Sequence, residues 1–444
     1  YRRLRGTLTT EELFSRYPIQ ATQARSEAWL AELGQVPMPE LHARIREAVA
    51  GSSEWVLCGG PPCQAYSYAG RSRRTNDVTF EDDKKFFLYR EYLRIVGKFE
   101  PAIFVMENVE GILSSEHGGK KIFPRIRDAL CRPRPGLEYE IRSFVCEPKS
   151  GGHDPKEFVI RCERYGLPQA RHRVILLGVR HDYSRRRHNL LTPADAMVPL
   201  DSMLKDLPRI RSHLSKQPDS PQLWLDVLKR GIHELSGWKD SRRPEIEAAM
   251  TSALTRAKLC NTNSWSETSA NKKGARNASV ELSNWILDRA PSVLSQHSSR
   301  RHMESDLHRY LFAASYAQVM GSSPKLRDFP DRLLPAHKNA RRAKPPHADR
   351  FRVQILGRPS TTITSHISKD GHYFIHPDPS QCRSLTLREA ARLQTFPDNY
   401  FFMGEQTQRF HQVGNAVPPY LAWKLGKIVA DLMASDETRN RPPI

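Results

Sequence analysis

The sequence lacks the features of a membrane protein and of a zinc protein. No run of 18 uncharged apolar residues occurs, so no segment has the length and apolarity of a membrane-spanning helix. The seven cysteines are scattered and none forms a CxxC pair, which argues against a zinc site and a disulfide framework. We therefore expect no bound metal, and reduced thiols in a cytoplasm.

Acidic residues are few beside the basic ones. The chain has 69 Lys and Arg against 49 Asp and Glu, a net charge of +20 and a pI near 9.8. A protein this basic usually meets a polyanion, and nucleic acid is the first candidate. A generic basic surface or association with ribosomes is the alternative. The 444 residues, 39% of them hydrophobic, are enough for two packed domains.

Strand-like and helix-like patterns alternate in the first part of the chain. Leu41, Ile45 and Val49 recur every four residues and predict a helix. Two further helical patterns follow, at residues 88–99 and 122–130, and apolar strand-like runs lie at residues 55–57, 102–106, 139–146 and 173–179. This alternation is typical of an α/β fold in which crossover helices join the strands of a parallel sheet.

The pattern changes in the second part. From about residue 181 to 350 the chain is polar and Ser-rich with paired basic residues, and no clean alternation is visible. Thr386 with Glu389 three residues later then forms a capping box, which predicts a helix over residues 385–393. Asn415 before Pro418 and Pro419 predicts the cap and first turn of a last helix.

Three short blocks carry residues suited to catalysis. Cys63 lies in a GGPPCQ loop behind one predicted strand, and Glu107 and Asn108 end the next strand. Arg171 and Arg173 alternate where another strand begins, so both could point to one side. Ligands of open α/β sheets bind beyond the carboxyl ends of strands. Each block alone has an ordinary alternative: an inert cysteine in a tight turn, a helix cap, or a solvated basic turn.

Together these blocks resemble the C5 cytosine methyltransferase family. They are similar to its Pro-Cys-Gln nucleophile loop, its Glu-Asn-Val tripeptide and its Gln-x-Arg-x-Arg segment, in the family's order. Two later blocks also match, RSLTLREAARLQTFP at residues 383–397 and QVGNAVPP at residues 412–419. The resemblance covers about residues 50–185 and 350–430. The span between them has the position of the family's variable target-recognition region, although no motif matches there.

The resemblance implies a DNA (cytosine-5) methyltransferase of the prokaryotic restriction-modification type. Cys63 would add to C6 of cytosine as a thiolate and so activate C5. Glu107 would protonate or hydrogen-bond N3, a role that requires its carboxyl group to hold a proton in a dry pocket. Arg171 and Arg173 would hold the base carbonyl and the loop, and Asn108 would order the Cys63 loop. No residue is assigned to remove the C5 proton.

The resemblance also implies the fold and the partners. We expect a doubly wound, Rossmann-like catalytic domain at residues 1–185, a smaller target-recognition region at 186–399, and a C-terminal helix at 400–444 that returns to the catalytic domain. The target base would be flipped out of double-stranded DNA with help from the loop at 65–76, where Arg71, Arg73 and Arg74 could contact phosphates or merely be exposed. A monomer at the nucleoid of a prokaryotic cytoplasm, with a cognate restriction endonuclease as functional partner, is the usual setting.

The cofactor implied is S-adenosyl-L-methionine, but its family signature is incomplete here. The Phe-x-Gly-x-Gly type of turn, which lets the backbone approach the ligand, does not occur before Cys63. We expect that block upstream of Tyr1, and predict that the chain as given binds the cofactor poorly. A smaller departure is Lys85, where the family usually has Arg. The cofactor positions that do match are Pro62, Leu88, Asn415 and Val417.

Two other functions stay open at this point. A small branch of the same family modifies RNA, and the large basic insertion favours duplex DNA only weakly. A truncated relic that binds DNA without turnover would also explain the absent cofactor turn, although every later catalytic residue is present.

Overall fold

The computed structural model describes residues 8–61, 89–148, 154–258, 260, 278–291, 293–342 and 345–434. The helices are α1 (Thr10–Arg16), α2 (Pro18–Glu27), α3 (Met38–Val49), α4 (Tyr89–Phe99), α5 (Ile122–Cys131), α6 (Asp201–Leu204), α7 (Pro221–His233), α8 (Arg243–Ala257), α9 (Val280–Leu287), α10 (Glu304–Met320), α11 (Leu387–Leu393), α12 (Gln406–Asn415) and α13 (Pro419–Met433). The strands are β1 (Val56–Gly59), β2 (Ile103–Val109), β3 (Glu116–His117), β4 (Lys120–Lys121), β5 (Tyr139–Arg142), β6 (Val159–Arg161), β7 (Gln169–Ala170), β8 (His172–Arg180), β9 (His213–Leu214), β10 (Arg301–His302) and β11 (Ser360–Thr361).

The chain forms two compact units. The first consists of Tyr1–Arg161, His172–Thr192 and Trp423–Ile444, and the second of Cys162–Arg171 and Pro193–Ala422. No helix in the described ranges is long and apolar enough to cross a membrane.

A five-stranded sheet organises the first unit and confirms the α/β fold class. Its strand order is β1-β2-β8-β5, with β6 also paired to β8. Strands β1 and β2 are parallel, as the alternation predicts, but β8 runs antiparallel to β2, β5 and β6. The prediction of a parallel sheet is therefore wrong for β8. Between β5 and β8 the described residues form strands β6 and β7 and short helical turns but no crossover helix, so β8 enters the sheet in the opposite direction.

The core of this unit forms where α4 and α5 pack with the sheet. Val96 and Ile126 from the helices and Phe104 and Leu176 from the strands are fully buried in one cluster. Gly178 allows the closest approach, because an added Cβ there would lie 2.1 Å from the Phe104 ring. Burial of this kind stabilises each large side chain by roughly 1.5–3 kcal/mol.

A helical core organises the second unit. Helices α7, α8 and α10 bury Trp224, Ile246 and Phe312 in one cluster. Beyond it, the capping box predicted for α11 is confirmed: the Glu389 amide donates to Thr386 Oγ1 at 3.1 Å, and the Thr386 amide donates to the Glu389 carboxylate at 2.7 Å.

One boundary prediction is wrong. Asn415 does not cap the last helix, since it is the final residue of α12, and α13 begins four residues later at Pro419. Gln406–Asn415 is mostly polar and buries only Phe410, Val413 and Gly414, so its apolar spacing gave little sign of a helix.

Candidate active site

An ion pair between Glu107 and Arg173 lies where β2 ends and β8 begins. Val109 pairs with Arg173 in the antiparallel register, so Glu107 and Arg173 are diagonal neighbours on the same face of the sheet. Arg173 Nε lies 2.8 Å from Glu107 Oε1, and the side chains are 13% and 23% exposed. Because water reaches both groups poorly, their attraction is screened less than that of a surface pair.

Asn108 fixes the main chain that leads into the Cys63 loop. This side chain is 1% exposed. Its Nδ2 donates to the Pro61 carbonyl oxygen at 3.1 Å, and its Oδ1 accepts from the Val109 amide at 2.9 Å. The end of β2 therefore holds the backbone two residues before Cys63, while the ordering of the Cys63 loop by Asn108 stays a prediction.

The two glycines before Pro61 allow close packing around Glu107. A Cβ on Gly60 would lie 3.1 Å from Glu107 Oε2, and one on Gly59 would lie 2.9 Å from the Tyr92 ring. Sequence reasoning assigned the Gly-Gly pair only to a loop. The structure shows that a side chain at Gly60 would press on the carboxylate.

Several predicted residues lie outside the described residues. They are Cys63, Pro62, Leu88, Lys85, Arg71, Arg73 and Arg74.

Arg171 has partners in the second unit. It is 2% exposed, and its Nη1 donates to the carbonyl oxygens of Ile363 at 2.9 Å and Gly414 at 3.4 Å. Arg171 lies between β7 and β8 and is in neither strand, whereas Arg173 lies within β8. The alternation of the two arginines predicted that both extend from one strand, but only Arg173 does so.

Gln169 also binds the backbone of Ile363, through the amide rather than the carbonyl group. Its Oε1 accepts from the Ile363 amide at 2.7 Å, and its Nε2 donates to Gln394 Oε1 at 2.8 Å. The parallel pairing of β7 with β11 adds to this link. Gln169 and Arg171 thus bind both the amide and the carbonyl of Ile363, a residue that no sequence motif singled out.

The QVGNAVPP block packs tightly within the second unit. A Cβ on Gly414 would lie 2.2 Å from the Ser365 amide nitrogen, so only glycine fits there. Gln394 Nε2 donates to the Val413 carbonyl at 2.5 Å. The side chain of Asn415 is exposed and that of Val417 is half-buried.

Buried arginines explain the block at residues 383–397. Arg383 and Glu389 are 0% and 1% exposed and form an ion pair at 2.6 Å. Although burial opposes it, the Arg383 guanidinium holds the pKa of Glu389 well below its usual range. Arg392 binds Asp206 and Asp398 at 2.6 and 2.7 Å. These side chains hold α11 inside the unit, so this block has a structural role that the spacing of its residues did not indicate.

Metal ligands do not gather in the part of the chain that the structure describes. No group of three or more His, Cys, Asp or Glu side chains there could hold a metal ion.

The sequence is similar to one protein family and to several known proteins. The pattern of the C-5 cytosine-specific DNA methylase family matches residues 52–430. The type II methyltransferase M.Bpa9945I of Bacillus paralicheniformis is 32% identical over 382 residues, 85% of this chain and 70% of that protein. The type II methyltransferase M.AgeI of Thalassovita gelatinovora is 24% identical over 409 residues, 87% of this chain and 85% of that protein.

A solved structure is also similar, but only distantly. A prophage-encoded E. coli protein described as a DNA modification methyltransferase covers 91% of this chain and 85% of its own, at 17% identity and a TM-score of 0.47.

Proposed function

The chain belongs to the C-5 cytosine-specific DNA methylase family, and we propose that it transfers a methyl group from S-adenosyl-L-methionine to C5 of a cytosine in double-stranded DNA. The observation that carries this proposal is the set of contacts behind the Cys63 loop: Glu107 paired with Arg173, and Asn108 bound to the Pro61 carbonyl. These contacts hold an acid, a cation and the approach to a thiol at one edge of the sheet.

Cys63 is the proposed nucleophile. Its thiolate adds to C6 of the ring, and the electron pair of the C5–C6 double bond moves toward N3. Glu107 meets this change by giving a proton to N3, and the Arg173 guanidinium holds the base carbonyl. C5 would then take up the methyl group as that group's bond to the sulfonium sulfur of the cofactor breaks, and N3 would return its proton to Glu107. A base would remove the C5 proton, and the C6–sulfur bond would break to restore the ring and the thiolate.

The described cofactor residues suit part of S-adenosyl-L-methionine. The exposed Asn415 carboxamide can donate and accept hydrogen bonds, and the half-buried Val417 offers an apolar surface two residues later. The resemblance assigns these two residues to cofactor binding, as it does Pro62 and Leu88. When bound, the cofactor supplies the methyl group.

Access to the base requires that the cytosine leave the duplex, because C6 and N3 are not both reachable in a stacked pair. The region at 186–399 is the proposed target-recognition region, and Arg171 is a positioning residue for Ile363 within the second unit. The sequence similarity to type II methyltransferases supports a role in restriction-modification. In such a role, a cognate endonuclease would be the functional partner of the chain.

Covalent trapping tests the nucleophile. A version of the chain that carries, ahead of Tyr1, the Phe-x-Gly-x-Gly block that the given sequence lacks is incubated with S-adenosyl-L-methionine and a duplex library containing 5-fluorocytosine, whose C5–fluorine bond blocks the final elimination. We expect an adduct that survives denaturing electrophoresis, is absent with Cys63→Ala, and persists with Cys131→Ala, the matched loss of one thiol. An adduct that persists in Cys63→Ala, or forms only on structured RNA, would overturn the proposal, and so would the absence of any adduct.

A further inference from the structure

Residues 325–358 form the most basic stretch of the second unit, and we call them the basic segment. They contain ten Lys and Arg against three Asp, a net charge of +7 (10 − 3). Apart from short helical turns at Leu326–Asp328, Asp331–Leu333 and Lys338–Arg341, the described part of this segment has no regular secondary structure. Such a composition does not arise from burial in a core.

Apolar residues fasten the basic segment to the helical core. Leu326, Phe329, Leu333 and Phe351 are at most 5% exposed and belong to the cluster formed by α7, α8 and α10. The backbone is held as well, since the Leu326 amide donates to the Ala348 carbonyl at 2.7 Å. The segment is therefore a fixed surface.

The cations between these anchors point outward. Arg327, Arg332, Arg341 and Arg342 are exposed, and none forms an ion pair with a carboxylate among the described residues. Leu326, Ala340 and Arg350 line one cavity of about 400 Å³, so the two parts of the segment that carry Arg327 and Arg341 meet at this cavity. Like charges gathered on one segment repel one another and oppose folding, unless a polyanion neutralises them.

The basic segment also runs directly into the contacts of the QxRxR block. It ends two residues before β11, which pairs in parallel with β7. Gln354 Nε2 donates to Thr361 Oγ1 at 3.0 Å, and Gln169 and Arg171 bind the next residue but one, Ile363. Hydrogen bonds near both ends of the basic segment, at Leu326 and at Gln354, therefore hold the backbone that bears the arginines.

We infer that the basic segment binds the phosphate backbone of the DNA substrate through Arg327, Arg332, Arg341 and Arg342. This inference rests on the proposed function, because it takes duplex DNA as the polyanion. Phosphate contacts release condensed counterions, so they give binding a strong dependence on salt and fix orientation without reading sequence.

The salt dependence of binding tests this assignment. The dissociation constant for a fluorescent duplex of mixed sequence is measured from 50 to 300 mM KCl with the whole chain. Two double variants remove cations from the segment, Arg327→Gln with Arg332→Gln and Arg341→Gln with Arg342→Gln. The control variant combines Arg230→Gln with Arg243→Gln, which removes two arginines of the same unit that are already paired with Glu304 and Glu247.

Each segment variant should reduce the slope of log K against log salt by about 1–2, since each phosphate contact contributes about 0.9. The control should keep the wild-type slope, and thermal melting should show all three variants folded. Segment variants with the wild-type slope, or a control that loses as much as they do, would overturn the inference. The measurement needs no methyl transfer, so wild-type binding with normal salt dependence but no methylated product would count against the proposed function alone.

Discussion

Glu107 and Arg173 face each other across two antiparallel strands, with Arg173 Nε 2.8 Å from Glu107 Oε1. Neither side chain depends on a loop for its position, because β2 and β8 pair over seven consecutive residues up to this point. An acid and a cation are therefore held together by the sheet itself, next to the backbone of Gly60.

Replacing the carboxyl group of Glu107 should greatly slow methyl transfer. Glu107→Gln keeps the size of the side chain and an acceptor for Arg173 but cannot transfer a proton to N3. We expect the single-turnover rate of methyl transfer to fall by about 10²–10⁴-fold, the usual contribution of a positioned acid. Affinity for DNA should change little. Glu116→Gln, at an exposed position in β3, is the control, and an undiminished rate in Glu107→Gln would remove the acid from the mechanism.

Replacing Gly60 by alanine should lower the rate of methyl transfer more than it lowers the stability of the fold. The added Cβ would lie 3.1 Å from Glu107 Oε2, so the carboxylate must shift by a few tenths of an ångström. We expect Gly60→Ala to lower the rate of methyl transfer while its melting temperature stays near that of the wild type. Gly426→Ala meets no atom within 4 Å and should keep full activity. Equal rates in the two variants would mean that the position of the carboxylate tolerates displacement.

The buried pair of Arg383 and Glu389 should matter for stability. Arg383→Leu leaves the Glu389 carboxylate without its bidentate partner in a site that water does not reach. Removing one member of such a pair costs about 3–5 kcal/mol. Urea unfolding should show this loss, and the double variant Arg383→Leu with Glu389→Leu should recover part of it. A loss below 1 kcal/mol in Arg383→Leu would show that the pair contributes little.

Acid should destabilise the second unit through its buried histidines. Burial lowers the pKa of His297 and His376 to about 4 and that of His302 to about 3. Each is therefore neutral in the folded state at neutral pH. Because the folded pKa lies below the unfolded value, their stabilising effect is complete above pH 6.5 and is lost as the pH falls toward 4.

Between pH 6.5 and 4, the free energy of unfolding should fall by roughly 1.4 kcal/mol per histidine for each pH unit. Urea unfolding at pH 7.5, 6.5 and 5.5 measures it. His302→Gln should flatten the pH dependence, whereas His233→Gln, at an exposed position of α7, should not. Identical pH profiles for wild type and His302→Gln would contradict this account.

The sequence allowed the main elements of the first unit to be predicted, because buried strands and amphipathic helices leave clear apolar patterns. Strand β2 appears as a continuous apolar run, and α11 is marked by its capping box. Helix α12 was missed, since it is polar and buries few residues. The direction of β8 was also missed, because strand patterns carry no information on whether neighbours run parallel.

For the site, the motifs indicated which residues matter but not what they contact. The Glu107–Arg173 pair depends on the register between β2 and β8, which only the folded sheet defines. The partners of Arg171 are 192 and 243 residues away along the chain, so no local pattern could have predicted them. The role of Gly60 likewise follows from a close approach to a distant strand.

Analysis of the product tests the central claim most directly. Duplex DNA is incubated with S-adenosyl-L-methionine that carries an isotopically labelled methyl group and with the chain joined at its N-terminus to the Phe-x-Gly-x-Gly block that its sequence lacks. The DNA is then digested to nucleosides and analysed by mass spectrometry. The account predicts labelled 5-methylcytosine from DNA, and none from parallel reactions with Cys63→Ala or with RNA as substrate. Labelled N4-methylcytosine or N6-methyladenine, or label that enters only RNA, would contradict it.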